Sequence, residues 1–188
     1  VLNAVEKGQD LSVSGTSANL AEGTLVTVTL NGKNYTATTA ADGTWSLTVP
    51  AADLAGLGQA SYTLNATATN GVGNSVSSSA NLLVDTALPT VTINTVAGDN
   101  VINAAEVAAG QTLSGTVANA EAGNTVTVTI GGHSYTATVQ NNLSWSVNVP
   151  SDVLTALGNG SLSVTATVTN GHGNTGTGER EIAIDANL

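Results

Sequence analysis

The densest group of chemistry-bearing side chains is the run Gly98-Asp-Asn-Val-Ile-Asn-Ala-Ala-Glu106. Asp99, Asn100, Asn103 and Glu106 offer carboxylate and amide oxygens within one predicted loop, with backbone carbonyls between them. Hard oxygen donors in a flexible loop, with neither His nor Cys, suit calcium better than zinc or copper. Magnesium fits less well, because it prefers a small octahedral site and keeps its water. The spacing is not that of an EF-hand. Asp185 lies at the end of the last predicted strand, where topology can bring it to the same ion. One hundred residues earlier the corresponding set is Asn3, Glu6 and Asp85. The competing reading is that Asp and Asn stand here because they favour turns and discourage pairing at sheet edges.

Other chemistry is poorly supported. His133 and His172 sit in glycine-flanked turns and correspond to Lys33 and Val72 in the other half. A catalytic base needs an oriented partner, and one half's base would face valine in the other. No nucleophile–base–orienter set, phosphate loop or HExxH motif occurs. Composition excludes more. The 188 residues carry 3 Lys plus Arg against 13 Asp plus Glu, with no Cys. Nucleic-acid binding needs clustered cations to displace counterions, and so does attachment to an anionic membrane surface. Without Cys there is no disulfide framework and no sulfur-ligated metal. No run approaches the roughly 20 apolar residues of a membrane helix, so membrane insertion is not expected. Nor does the first stretch read as a signal peptide.

The elements that must position these residues follow from an internal repeat. Shifted by about 100 residues without gaps, roughly four positions in ten are identical. Val26-Thr-Val-Thr29 falls on Val126-Thr-Val-Thr129, Trp45-Ser46 on Trp145-Ser146, and Asn70-Gly-Val-Gly-Asn74 on Asn170-Gly-His-Gly-Asn174. A unit this long is a domain rather than a solenoid repeat. Two domains are therefore expected, 1–86 and 87–188. Asp85-Thr-Ala-Leu-Pro89 forms the joint, kept short and stiff by its proline. Positions matching Pro89 to Asn100 have no counterpart before Val1, so the first domain is expected to be an N-terminally shortened copy from a longer array.

Within each unit the apolar period is two. Val126, Val128 and Ile130 alternate with threonines, as do Leu162, Val164, Ala166 and Val168 with Ser163 and three threonines. Strands are expected near 90–97, 111–117, 124–130, 133–139, 144–149, 160–169 and 175–184, with one helical turn at Ser151 to Leu157. Seven short strands per unit with solvated outer faces predict an all-β fold of two tandem immunoglobulin-like β-sandwiches. Trp45 and Trp145, each opening an alternating strand, are expected in the cores with a tyrosine beside each. An exposed indole would instead favour a carbohydrate-binding module, and the Thr-x-Thr arrays an ice-binding surface. The plainer reading of those arrays is the solvent face of a strand.

The combination of Asp85-Thr-Ala-Leu-Pro-Thr-Val-Thr-Ile93, Ala97-Gly-Asp-Asn-Val-Ile-Asn-Ala-Ala-Glu106, Ser114-Gly-Thr116, Trp145-Ser-Val147, Val149-Pro150 and the late Asn-Gly-x-Gly-Asn resembles bacterial immunoglobulin-like (BIg) repeats. The likeness is to the repeats of giant biofilm-associated adhesins exported by type I secretion. It covers both units almost end to end. The resemblance implies a non-enzymatic spacer and adhesin module on the bacterial surface or outside the cell, with neighbouring repeats as partners and surfaces or other adhesin molecules as further ones. It also implies calcium at or near the joints. Carried over by position, the ligands are Asp99, Asn100, Asn103, Glu106 and Asp185 in the second unit, and Glu6 and Asp85 in the first. The chain departs from the family at Asn70 and Asn170, where Asp is frequent, and at Asn141-Asn-Leu-Ser144, where Asp-Gly usually precedes the Trp.

Overall fold

Alternation of branched apolar residues with Thr and Ser makes each strand two-faced, and two such sheets bury their apolar faces together. The computed structural model describes residues 1–187; Leu188, the expected last residue of the second domain, lies outside the described residues. The chain divides into two compact units, Val1–Thr86 and Ala87–Leu188. Each is a β-sandwich of the immunoglobulin type.

Unit 1 contains β1 (Leu11–Thr16), β2 (Leu25–Leu30), β3 (Lys33–Thr38), β4 (Thr44–Val49), α1 (Ala51–Ala55), β5 (Ala60–Thr69) and β6 (Ser75–Val84). Its sheets run β3-β2-β5-β6 and β1-β4. A 3₁₀ turn, Glu6–Gly8, precedes them, and Leu2 bridges Val84 in parallel. Unit 2 contains β7 (Thr90–Val91), β8 (Val101–Asn103), α2 (Ala104–Ala109), β9 (Gln111–Ala118), β10 (Thr125–Ile130), β11 (His133–Thr138), β12 (Ser144–Val149), α3 (Ser151–Leu157), β13 (Gly160–Thr169) and β14 (Thr175–Asp185). Its sheets run β11-β10-β13-β14-β8 and β12-β9-β7.

The register repeats between the units. Val26, Val28 and Leu30 pair with Ala68, Ala66 and Leu64, as Val126, Val128 and Ile130 pair with Val168, Ala166 and Val164. The threonines between them face outward, and Thr167 and Thr177 hydrogen-bond across β13 and β14. The helical turn forms where expected: Pro150 has φ −65°, suited to entering α3, and Leu154 is fully buried.

Three expectations are corrected. The segment 98–106, read as a loop, is a turn followed by a parallel strand and a helix. The Asn103-x-x-Glu106 spacing forms a capping box: Asn103 Oδ1 accepts the Glu106 amide at 3.1 Å, and Glu106 Oε2 accepts the Asn103 amide at 2.9 Å. Second, only one tryptophan is fully buried. Trp145 is 1% exposed and donates its indole N–H to the Thr92 carbonyl at 3.2 Å. Trp45 is half-buried, because unit 1 holds no counterpart of β7 among the described residues. Tyr35 and Tyr135 likewise pack at the margins of the cores. The first strand expected at 90–97 pairs regularly only over Thr90–Val91; Thr92 and Asn94 still donate to Thr116 and Ser114 carbonyls at 2.8 Å.

Candidate functional site

The register of β14 on β8 decides which oxygen-bearing residues meet. Asp185 pairs with Asn103 in parallel, and Asn103 is locked to Glu106 by the capping box. Asn103, Glu106 and Asp185 thus share one end of this sheet edge. Asp99 and Asn100 are placed just before the other end of β8, four and three residues ahead of Asn103, with the strand between rising about 3.3 Å per residue. There Asp99 Oδ1 accepts the Val101 amide at 2.9 Å, and Asn100 Oδ1 accepts the Val96 amide at 3.1 Å. These bonds close the turn before β8, and Asn100 adopts φ 66°, a conformation Asn tolerates better than most residues. Arg180 links this turn to the segment before it: its Nη1 donates to Asn100 Oδ1 at 3.5 Å and its Nε to the Ile93 carbonyl at 2.7 Å. The five candidates therefore fall into a turn pair and an edge trio.

Unit 1 repeats the edge trio with a shorter helical element. Asn3 Oδ1 accepts the Glu6 amide at 2.9 Å and Glu6 Oε2 accepts the Asn3 amide at 3.0 Å. The Asp85 amide donates to the Leu2 carbonyl at 3.0 Å, which sets Asp85 beside Asn3. Asn-x-x-Glu before an apolar helical stretch is a readable capping-box signature, and the same residues that suggested metal ligands carried it.

The donor chemistry fits a hard cation: two carboxylates and one amide per unit, with no His or Cys. One oxygen of each carboxylate in unit 2 has a defined role, since Asp185 Oδ1 accepts the Asn187 side-chain amide at 2.9 Å and Glu106 Oε2 serves the cap. Glu106 Oε1 and Asp185 Oδ2 accept no hydrogen bond among the described residues. Among those residues no group of three or more His, Asp or Glu side chains converges. Carbonyls and water would have to complete a calcium shell of six to eight oxygens. With only two carboxylates, such a site belongs at the weak end of calcium affinities.

Elsewhere the polar groups serve the fold. Asn170 Oδ1 accepts the His172 and Asn174 amides at 3.1 and 3.0 Å, and Asn70 treats Val72 and Asn74 in the same way. The Asn-Gly-x-Gly-Asn motif is therefore a turn whose amides face its own first residue. His133 lies exposed at the start of β11. One charged cluster was not anticipated. Lys33 Nζ contacts Asp53 Oδ1 at 2.5 Å, and Tyr35 donates to Asp53 Oδ2 at 2.9 Å. Hydrogen bonds from Lys33 and Tyr35 hold the Asp53 carboxyl below its usual range. Desolvation, followed by the bond to Asp53, pushes the Tyr35 hydroxyl up to about 12. Unit 2 has His133 and Val153 at these places and cannot form the cluster.

Comparison with known proteins follows the same architecture. Residues 11–86 match the family model of a bacterial Ig-like domain. A solved structure concerning host cell surface retention of a 1.5-MDa bacterial ice-binding adhesin is 31% identical, with TM-score 0.61; the match covers 98% of this chain and 60% of that one. Another, a Ca²⁺-stabilised adhesin with which an Antarctic bacterium binds ice, is 34% identical with TM-score 0.64, over 99% of this chain and 46% of that one. A bacterial immunoglobulin-like domain from the ice-binding adhesin of M. primoryensis is 36% identical with TM-score 0.43, over 52% of this chain and 98% of that one. The chain thus spans less than two thirds of the first two structures. Comparison with curated proteins finds no match. No helix is long and apolar enough to cross a membrane, among the described residues.

Proposed function

The chain belongs to the bacterial Ig-like domain family, and on that premise we propose that it is a non-enzymatic structural and adhesive repeat of a large bacterial surface adhesin. One observation carries the reading: what the two units share is architectural. Strand register, the Pro-led helical turn, the Asn-Gly-x-Gly-Asn turn and the Asn-x-x-Glu cap all recur. The histidines and the Lys33–Asp53–Tyr35 cluster do not. A spacer repeats its scaffold, whereas an enzyme in tandem would repeat its reactive groups.

Within this reading, calcium binds at or near the joints through Asn3, Glu6 and Asp85 in unit 1 and Asn103, Glu106 and Asp185 in unit 2. An ion there supplies positive charge that ties the exit strand to the cap of its own unit. Asp99 and Asn100 keep a role in the turn before β8. The proposed setting is extracellular, after type I secretion, in a biofilm filament whose partners are neighbouring repeats and the surfaces or adhesin molecules it meets. The Ca²⁺-stabilised relative supports the cation, and the excess of 13 acidic over 3 basic residues supports its need. Small-angle scattering of the full chain in calcium and in chelator tests the spacer role. The expected result is a longer, better-defined maximum dimension in calcium; identical curves would refute stiffening.

A further inference from the structure

Four Asn-Gly pairs occur in the chain: Asn31-Gly32, Asn70-Gly71, Asn159-Gly160 and Asn170-Gly171. Each carries a latent reaction. The backbone nitrogen of the glycine can attack the side-chain carbonyl carbon of the asparagine, and a residue without a β-carbon leaves that nitrogen open to approach. The reaction then depends on whether the side-chain amide is free to swing onto it. Three of the four are tied down. Asn70 Oδ1 accepts the amides of Val72 and Asn74 at 3.2 and 2.9 Å. Asn170 is buried, holds the matching pair of amides, and donates its Nδ2 to the Asn119 carbonyl at 3.2 Å. The Gly171 N–H beside it is itself engaged by Glu121 Oε2 at 3.2 Å. Asn159 accepts the Ala186 amide at 2.9 Å and donates to Asn187 Oδ1 at 2.8 Å.

Asn31 differs. It lies exposed in the two-residue turn between β2 and β3, where Leu30 pairs with Lys33. Both central residues have positive φ, 47° at Asn31 and 79° at Gly32, so the backbone itself makes the turn and the Asn side chain has no part in closing it. Neither the Asn31 side chain nor the Gly32 N–H makes a hydrogen bond among the described residues. A β-carbon built at Gly32 would meet no atom within 4 Å, so nothing crowds a ring formed there. Unit 2 makes the same turn with Gly131-Gly132 and has no side chain to react.

We propose that Asn31 is a self-modification site, converted by water to aspartate and isoaspartate in the folded protein. The Gly32 nitrogen gives up its proton and bonds to Asn31 Cγ. The Cγ–Nδ2 bond breaks, and the side-chain nitrogen leaves as ammonia with a proton in exchange. Water then opens the cyclic imide. Attack at Cγ restores the main chain and leaves aspartate; attack at the backbone carbonyl routes the chain through the side chain and leaves isoaspartate. Each event consumes one water and releases one ammonia. Either product sets a carboxylate two residues from Lys33, where it competes with Asp53 for the ammonium group. Isoaspartate also adds a main-chain carbon to a turn built for two residues, and so loosens the pairing of Leu30 with Lys33.

Ageing of the full folded chain in mildly alkaline buffer, followed by peptide mapping with mass spectrometry, tests this. The fragment holding Asn31 should be the first to exchange NH for O, and it should accept methyl groups from an isoaspartate O-methyltransferase. Asn70, Asn159 and Asn170 should convert on the order of tenfold more slowly, because hydrogen bonds must break before each can react. In denaturant, where those bonds are gone, the four sites should convert at similar rates. Asn31→Gly, which copies the turn of unit 2, should remove the early event and the acidic species it adds on isoelectric focusing. The inference is overturned if Asn31 stays intact or if another asparagine leads in the folded chain. It is equally overturned if denaturant leaves the order of rates unchanged, since neighbouring sequence rather than side-chain partners would then set it.

Discussion

Trp45 and Trp145 hold matching places on equivalent strands, β4 and β12, each opposite the matching glycine, Gly15 or Gly115, yet one is half-buried and the other sealed. The difference lies outside their own strands. In unit 2, β7 crosses the open side of the sandwich and closes the core; in unit 1 no described strand does so. Eleven apolar residues are buried in unit 1 and twenty-two in unit 2, among the described residues. Burial of a side chain is thus set by an element distant in sequence, which local alternation cannot reveal.

The comparison can be broken most sharply at the tryptophans themselves. Trp145→Ala removes a buried indole together with its bond to Thr92, and should cost unit 2 about 3–5 kcal/mol. Trp45→Ala vacates a surface already open to water, and should cost unit 1 about 1–2 kcal/mol. Denaturant unfolding, followed by signals specific to each unit, measures both. Equal losses would contradict the role given to β7.

Glycine replacement sharpens the same contrast. In Gly115→Ala the new β-carbon meets the Thr92 carbonyl oxygen at 1.8 Å, so the segment following β7 must shift; a cost of about 1–3 kcal/mol is expected. In Gly15→Ala the nearest atoms belong to the half-exposed Trp45 ring, which can turn toward solvent. A smaller loss should follow in the same unfolding assay. Next come the caps: Asn103→Ala should cost about 1 kcal/mol. Asn3→Ala should cost less, since it frees only a single 3₁₀ turn.

Much of this architecture was legible in the chain because the apolar period, the turn glycines and the 100-residue repeat all agree. Strands at 144–149 and 160–169 fall where alternation places them. The segment 98–106 was harder, because Asn and Glu at that spacing serve a capping box and a cation equally well. Val101–Asn103 is too short to display a period. Its pairing with the chain's last strand is a long-range contact with no local signature. Trp45 misled for a related reason: its strand reads as half-buried, but the strand needed to cover it has no counterpart among the described residues of unit 1. The repeat alignment shows that positions 89–100 lack a match in unit 1, and the consequence for Trp45 follows only once β7 is seen over Trp145.

Acid gives the smallest difference. Asp42 and Asp53 both have lowered pKa values: Thr44 hydrogen bonds act on Asp42, and bonds from Lys33 and Tyr35 on Asp53. Unit 2 has Asn142 and Val153 instead. A carboxyl with a depressed folded-state pKa adds stability above its ordinary value of 3.8 and loses it as pH falls through the folded value. Below that value unit 1 should therefore lose a small increment that these positions in unit 2 do not. Solvent exposure keeps the effect slight. Thermal melts of the wild type and of Asp53→Asn across acidic pH check the sign.

What the units share is tested by calcium. Isothermal calorimetry of the full chain, compared with Glu106→Gln, separates the cap from the cation, because the amide oxygen of Gln still accepts the Asn103 N–H. Calcium binding with Kd about 10⁻⁴–10⁻³ M is expected, as in weak extracellular modules. Glu106→Gln should lose the share of that binding due to unit 2, with its calcium-free melting temperature preserved. Absence of binding in the wild type, or full binding in the variant, would contradict a calcium site at Asn103, Glu106 and Asp185.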